Sequence, residues 1–252
     1  MSATDRFLSV VSFEVRRTVI GWRFPLCLVV AAVLFWLSLG TAMTEDVIGR
    51  FLYPIAVCVP LLVSIYAVVS FADNVSDEFE KGTGLVMLTQ PIGRYLLFAG
   101  KFVAAYLPGL VLVALYYVAA AVVCTVNWGY VPAVLGESFL LALLYLFAAL
   151  GVCGLISSIS PGSNVSFVVC LLLMVVALFY FQNVSFGTEP WYVLGYDSRI
   201  IANHVMGVGT VFDGSMSTTD YQPLASTASV MMCIYGAVTS VVSAILFRFR
   251  QI

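Results

Sequence analysis

The sequence predicts an all-α integral membrane protein with six transmembrane helices and both chain ends in the cytoplasm. The first observation is composition, because 62% of the residues are hydrophobic and only 10% are charged, with a mean hydropathy of +1.06. A soluble domain has about 25% charged residues, so lipid must solvate much of this exterior. The second observation is a set of long charge-free stretches, and the third is an uneven distribution of Lys and Arg along the chain.

Residues 4–22 are predicted to form an amphipathic helix at the inner membrane surface. Four apolar residues recur at helical spacing and form a stripe, namely Leu8, Val11, Val15 and Val19. The charged residues of this segment, including Glu14, lie mostly off that stripe. Such a helix lies flat with its apolar side toward lipid. The alternative is a simple extension of the first span, which Pro25 disfavours because proline interrupts a continuous helix.

Charge-free stretches locate the spans, because a bilayer core about 30 Å thick needs roughly 20 apolar helical residues. The stretch between Glu137 and Glu189 is too long for one crossing, and Ser160-Pro161-Gly162 supplies a turn that divides it. The six predicted spans cover residues 24–43, 51–72, 102–124, 138–159, 165–181 and 227–247.

Two features near these spans predict local structure. Residues 127–132, which include Trp128 and Tyr130, are predicted to form an interfacial turn with an aromatic belt. Gly151 and Gly154, close to two alanines, give the fourth span a small-residue face suited to close helix packing.

The orientation follows from the 11 Lys and Arg residues of the chain. With six spans and an inside N-terminus, only Arg50 and Arg199 fall outside, as the positive-inside rule requires. Residues 73–101 are then a cytoplasmic loop, and residues 182–225 are an extracellular loop whose apolar content predicts a partly folded cap or dipping helices.

The cytoplasmic loop predicts two short helices joined by a glycine hinge. Its first part is acidic, Gly82 can end a helix in the left-handed conformation, and residues 85–88 form an apolar turn before Pro91. An apolar patch flanked by charges is typical of a docking surface. The alternative is a solvated loop whose apolar turn rests on lipid.

The same loop resembles that of the permeases of ABC type-2 exporters. The resemblance lies in Glu78-x-Glu80-x-Gly82-Thr83, Leu85, Leu88, Pro91-Ile92-x-Arg94 and Gly100-Lys101. In that family a glutamate precedes Gly-Thr, and a Pro-(Ile/Val)-Ser-Arg turn follows at the spacing that separates Gly82 from Pro91 here. Gly93 stands where the family usually has serine. The predicted amphipathic helix, the six predicted spans and the short turn between the fourth and fifth spans also fit this family. The resemblance therefore covers nearly the whole chain.

The resemblance implies a coupling helix that docks into a groove of a separate ABC ATPase subunit, which binds ATP and Mg. It assigns docking to Asp77, Glu78, Phe79, Glu80, Gly82 and Thr83, and return to the membrane to Pro91, Arg94 and Lys101. The 252 residues contain no G-x-x-x-x-G-K-[ST] phosphate loop. The expected protein is a homodimeric, multi-pass permease of a prokaryotic-type plasma membrane, with no cofactor, metal or catalytic residue of its own.

The predicted spans contain no Asp, Glu, Lys, Arg or His. Because such residues mark ion and proton paths, this argues against an ion-driven transporter or a simple channel. It favours an amphipathic or apolar cargo, or a cleft formed where two copies meet. Ordinary packing and lipid contact are the alternative roles for the candidate path residues, which are Tyr53, Ser64, Tyr66, Ser70, Met174, Phe179 and Tyr180.

Two other functions remain open at this point. A membrane anchor that recruits a cytoplasmic ATPase without moving cargo would share the same loop. An intramembrane hydrolase would need Ser138 and the single histidine, His204, but Ser138 lacks a G-x-S-x-G setting. A formal net charge of -2 gives no indication of a nucleic-acid partner.

Overall fold

The computed structural model describes residues 3–72, 74, 76, 94–177, 192–206 and 224–249, with side chains from residue 7 onward and without those of residues 94, 177, 248 and 249. All regular structure in these ranges is helical. A six-residue π-helix, Leu172–Ala177, follows α6. The α-helices are α1 (Ala3–Ile20), α2 (Arg23–Ala42), α3 (Ile48–Phe71), α4 (Arg94–Trp128), α5 (Ala133–Ile159), α6 (Ser163–Leu171), α7 (Leu194–Asp197), α8 (Ile200–Met206) and α9 (Ala225–Phe249).

Five of these helices, α2, α3, α4, α5 and α9, are long and apolar enough to cross a membrane. They correspond to five of the six predicted spans. The remaining predicted span, residues 165–181, begins in α6, and the described part is a shorter apolar helix, Ser163–Val176. Its last residues lie outside the described ranges, so a sixth crossing stays a prediction.

Helix α4 corrects two sequence-based boundaries. It begins at Arg94 and ends at Trp128, so it is longer than the predicted span 102–124. The predicted turn at residues 127–132 is wrong for its first two residues, because Asn127 and Trp128 are helical and the Asn127 side chain donates to Val123 O at 2.9 Å. The turn begins at Gly129, whose φ of 76° a helix does not use.

The predicted hairpin after the fourth span is confirmed. Helix α5 ends at Ile159, and Ser160 adopts an extended conformation while its N–H still bonds Ile156 O at 2.9 Å. Pro161 follows, and proline has no N–H with which to continue the helix. Helix α6 begins two residues later at Ser163.

The most extensive pairing between described elements joins α5 and α9. Gly151 faces Gly236, and a Cβ built there would lie 3.1 Å from Gly236 O. Two turns further along both helices, Ser158 and Ser243 share a hydrogen bond of 2.7 Å between their hydroxyls. The small-residue face predicted for the fourth span is therefore confirmed, and it lets two helix backbones approach closely.

The helix ends collect into two groups. One end is called the Lys101 end. There, Phe98 near the start of α4 contacts Phe71 at the end of α3, with ring centroids 6.2 Å apart. Phe98 also contacts Phe247 near the end of α9, with ring centroids 6.1 Å apart. At the other, the His204 end, Phe51 near the start of α3 contacts Trp128 at the close of α4, at 6.4 Å. Helices α3 and α9 thus end where α4 begins, so α4 runs in the opposite direction to both.

Helix α1 packs against the first turns of α4. A Cβ at Gly100 would lie 2.8 Å from Val10 Cγ1, so glycine permits this close approach. Val11 and Glu14 are buried, while Leu8 and Phe13 are exposed. The sequence placed Glu14 off the apolar stripe of α1, but the structure buries Glu14 together with Val11 of that stripe, whereas Leu8 and Val19 of the same stripe are exposed.

Candidate functional site at the root of the loop after α3

The predicted ATPase-docking residues, Asp77, Glu78, Phe79, Glu80, Gly82 and Thr83, lie outside the described residues, as does Pro91. Arg94 begins α4, and its side chain is not described. The structure does describe the start of this loop, at residues 72, 74 and 76, here called the loop root. The loop root shows what the docking segment is attached to.

Lys101 of α4 holds the loop root from one side. Its ammonium donates to the side-chain Oδ1 of Asn74 at 3.1 Å and to the backbone carbonyl of Asn74 at 3.3 Å. Lys101 is 1% exposed, so these contacts replace water around the buried ammonium. Lys101, which the sequence predicts to lie where the chain returns to the membrane, thus binds Asn74 at the start of the loop.

Two serines hold the loop root from the other side. The Ser76 N–H donates to Ser157 Oγ of α5 at 3.3 Å, and Ser166 Oγ of α6 donates to the Ala72 carbonyl. Three helices that follow the loop in sequence, α4, α5 and α6, therefore contact its first residues. A displacement of the loop would act on all three.

Glu14 of α1 completes the cluster. Its carboxylate lies 3.7 Å from Lys101 Nζ and 3.7 Å from the Arg17 guanidinium. Glu14 is buried, whereas the Arg17 side chain is about half exposed. A buried charge is tolerated only when it is paired, and the ammonium of Lys101 provides such a pairing for the carboxylate of Glu14. This pair links the N-terminal helix to the loop root.

The candidate path residues occupy several environments. Ser64 Oγ donates to Pro60 O at 2.7 Å and shares a hydrogen bond of 2.8 Å with the Tyr145 hydroxyl. The Tyr66 hydroxyl donates to Ala105 O at 2.5 Å. Ser64 and Tyr66 thus pack inside the bundle of one chain, and a path along them would require α3 to separate from α4 and α5.

Of the remaining path candidates, the described ones on α3 lie far apart, with Tyr53 near the start of the helix and Ser70 near its end. Met174 is buried, Tyr53 is half-buried, and Ser70 lies near the Lys101 end. Phe179 and Tyr180 lie outside the described residues. A path lined by these residues stays a prediction.

Helices α7 and α8 pack at the His204 end, within the predicted extracellular loop. The His204 ring contacts the Glu137 carboxylate, and the Ser138 hydroxyl donates to Ile201 O at 2.7 Å while pairing with the Tyr117 hydroxyl at 2.8 Å. The histidine therefore faces Glu137, and the neighbouring serine is buried in structural hydrogen bonds. This arrangement does not support a Ser–His nucleophile.

Asp197 of α7 is a buried carboxyl at the same end. It is 2% exposed, and its Oδ2 accepts no hydrogen bond. Burial raises the pKa of the Asp197 carboxyl to about 7, because a low-dielectric environment disfavours the charged form. Among the described residues, no group of three or more His, Cys, Asp or Glu could hold a metal ion.

Sequence reasoning missed several members of the cluster at the loop root, namely Glu14, Asn74, Ser76, Ser157 and Ser166. The position of Glu14 beside an apolar stripe could have indicated this cluster. If that face of α1 is buried, the Glu14 carboxylate needs a cation as its partner. The serines gave no such signal, since a serine in an apolar helix usually bonds its own backbone.

The sequence of this helical bundle matches a known protein family. Residues 29–250 match the family described as "ABC-2 family transporter protein". No curated protein matches the sequence. The match runs from within α2 through the end of α9, so it includes all or most of each of the five long apolar helices, and it confirms the resemblance noted from the loop motif. The chain therefore belongs to the ABC-2 transporter family and is a multi-pass membrane permease component of an ABC transporter.

Proposed function

We propose that this chain is the permease subunit of an exporter, in which a separate ATPase chain grips residues 77–83 and drives cargo across the membrane. The observation that carries the proposal is the attachment of the loop root to α4, α5 and α6 through Lys101, Ser157 and Ser166. Membership of the ABC-2 family implies association with an ABC ATPase subunit. The chain would then be a transport component, with nucleotide and Mg bound by its partner.

The attachment suggests how a movement of the loop would reach the membrane. ATP binding would close the two ATPases, and the docked segment would move with them. Because buried polar contacts hold the loop root, that movement would shift the adjoining ends of α4, α5 and α6 rather than bend a free linker. Such a device is a two-state switch biased by a ligand bound elsewhere.

Orientation and assembly complete the proposal. Arg17, Arg23 and Lys101 lie at the Lys101 end, and Arg50 and Arg199 lie toward the His204 end. By the positive-inside rule the Lys101 end faces the cytoplasm, where an ATPase could reach it. Two copies would form a cleft between them, and the apolar spans favour an amphipathic or apolar cargo.

The test is ATP hydrolysis by the chain reconstituted with the ATPase encoded beside it. Glu78→Ala and Gly82→Pro should each reduce permease-dependent hydrolysis by roughly tenfold, which corresponds to about 1.4 kcal/mol of lost coupling. Glu45→Ala, the matched control, removes a carboxylate from the α2–α3 turn at the opposite end and should leave hydrolysis unchanged. Equal activity in all three variants would contradict the docking assignment.

A crosslinking experiment tests contact directly. A photoreactive residue at Phe79 or Thr83 should capture the ATPase in cells, whereas one at Trp36 on the exposed side of α2 should not. Capture accompanied by no transport of any amphipathic cargo in vesicles would favour the alternative of a membrane anchor for the ATPase.

A further inference from the structure

A proline lies inside α4, the longest of the described helices. Pro108 lacks the N–H that would bond Ala104 O, and its ring crowds that carbonyl. Bends in helices arise at such prolines, and also where a side chain enters the backbone hydrogen-bond ladder. The backbone of α4 is therefore weakened at the step from Ala104 to Pro108.

Tyr66 of α3 contacts α4 at this same step. Its hydroxyl donates to Ala105 O at 2.5 Å, and the backbone of Gly109 also forms a hydrogen bond with this hydroxyl. Gly109 permits the contact, because a Cβ there would lie 2.6 Å from Tyr66 Cε1. One buried side chain of α3 thus binds the backbone of α4 on both sides of Pro108.

The part of α4 after the proline is held by hydroxyl groups. The Tyr116 hydroxyl donates to Ile55 O at 3.1 Å, and the Tyr117 hydroxyl shares a hydrogen bond of 2.8 Å with Ser138. Hydrogen bonds weaken steeply when their angles change. These contacts therefore hold the second part of the helix in one position.

The part of α4 before the proline packs largely through aromatic rings. Phe98 and Phe102 both contact Phe71, with ring centroids 6.2 and 5.8 Å apart. The Tyr106 hydroxyl lies 3.5 Å from Leu143 O, which is longer than a usual O–H···O hydrogen bond. Because apolar contacts are non-directional, these rings can shift against one another at little cost.

We propose that Pro108 is a hinge in α4 and that the Tyr66 hydroxyl is the latch that holds this hinge closed. The part of α4 before the hinge carries Lys101, which binds Asn74 at the loop root. A displacement of the loop root would turn this part about Pro108 once the Tyr66 contact opens. The hinge itself does not depend on an ATPase, whereas its use in coupling rests on the proposed function.

Hydrogen–deuterium exchange of the purified chain in nanodiscs tests the latch. Tyr66→Phe removes the hydroxyl and keeps the ring, so the amides of residues 109–112 should exchange roughly three- to tenfold faster than in wild type. Tyr145→Phe is the matched control, because the Tyr145 hydroxyl is also buried but bonds the Ser64 side chain, at 2.8 Å. The control should leave these amides unchanged, and equal acceleration in both variants would overturn the proposal.

Pro108→Ala distinguishes a hinge from ordinary packing of the tyrosine. Alanine supplies an N–H that can bond Ala104 O, so the same amides should exchange roughly threefold more slowly than in wild type. Combined with Tyr66→Phe, it should return exchange to the wild-type rate or below. A double variant that exchanges as fast as Tyr66→Phe alone, or unchanged exchange in Pro108→Ala, would overturn the hinge.

A second measurement tests whether coupling uses the hinge. In the complex with the ATPase encoded beside the chain, Pro108→Ala should lower permease-dependent ATP hydrolysis by roughly threefold. Unchanged hydrolysis in Pro108→Ala, with Glu78→Ala still impaired, would overturn the role of the hinge in coupling and leave the proposed function standing. If neither variant alters hydrolysis, the proposed function fails, and the exchange rates still decide whether the hinge exists.

Discussion

Lys101 Nζ lies 3.7 Å from Glu14 Oε1, and both residues are buried although they are far apart in sequence. The lysine also binds Asn74 at the loop root. One ammonium group therefore connects the N-terminal helix, the loop that is predicted to dock an ATPase, and the start of α4. These contacts attach the predicted cytoplasmic docking loop to the helices of the membrane bundle.

Lys101→Met should destabilise the protein by about 3 kcal/mol, because removal of one member of a buried ion pair leaves the other charge poorly compensated. Arg17 remains near Glu14 and keeps the loss at the lower end of the usual range. Thermal unfolding in detergent, followed by tryptophan fluorescence, measures the change.

The combined change Glu14→Leu with Lys101→Met is the informative control. An apolar pair of similar volume should recover most of the stability but not the contact with Asn74, so coupled ATP hydrolysis should remain low. A double variant as unstable as Lys101→Met alone would contradict this account of the pair.

Gly236→Ala should destabilise the bundle by about 1–3 kcal/mol, because a Cβ at this position would overlap the Phe147 ring where α5 meets α9. Gly40→Ala is the control, since nothing lies within 4 Å of a Cβ there. In helix α2 that change should be neutral or stabilising by up to about 1 kcal/mol. Similar melting temperatures for the two variants would show that α5 and α9 do not approach this closely.

Asp197 should make the stability depend on pH. Its pKa is raised from 3.8 to about 7 in the folded protein, so the folded state holds a proton that the unfolded state releases. The free energy of unfolding therefore falls as pH rises from about 4 to about 7. Asp197→Asn lacks this loss and should melt roughly 4 °C above wild type at pH 8, with a smaller difference at pH 5.

Other titrating groups are common to both proteins, so the difference between Asp197→Asn and wild type isolates this carboxyl. Melting curves at pH 5, 6, 7 and 8 provide the measurement. A difference that is constant across these pH values would show that Asp197 ionises normally.

Ser138 should not react as a nucleophile. Its hydroxyl is buried and bonded to Tyr117 and Ile201, so a fluorophosphonate probe should label wild type no more than Ser138→Ala. The variant should lose about 1 kcal/mol of stability from the missing hydrogen bonds. Stoichiometric labelling at Ser138, found by peptide mass spectrometry, would revive the hydrolase alternative.

Much of the fold could be predicted because span length and turn chemistry are local properties. The charge-free stretches located five long helices, and Pro161 with its neighbours located the hairpin between α5 and α6. The errors were at helix ends, as at Trp128, where nothing in an apolar stretch shows where the backbone hydrogen bonds stop.

The candidate site was predicted only in part. Lys101 was identified from the loop motif, and the structure supplies its partners Glu14 and Asn74. The docking residues 77–83 rest on the motif alone. The Ser64 and Tyr66 hydroxyls, assigned to a path from their place in the second span, bond to α4 and α5 within one chain.

By itself the sequence determined that the chain is a membrane protein of apolar helices with a motif-bearing loop, because hydropathy and spacing act over short stretches of chain. Only the tertiary structure decided which faces meet. A helix that is apolar on every side, such as α5, has no amphipathic stripe from which its buried face could be inferred. The pairing of Lys101 with Glu14, the hydrogen bond between Ser158 and Ser243 and the burial of Asp197 all depend on helix rotations that are set by packing between distant segments.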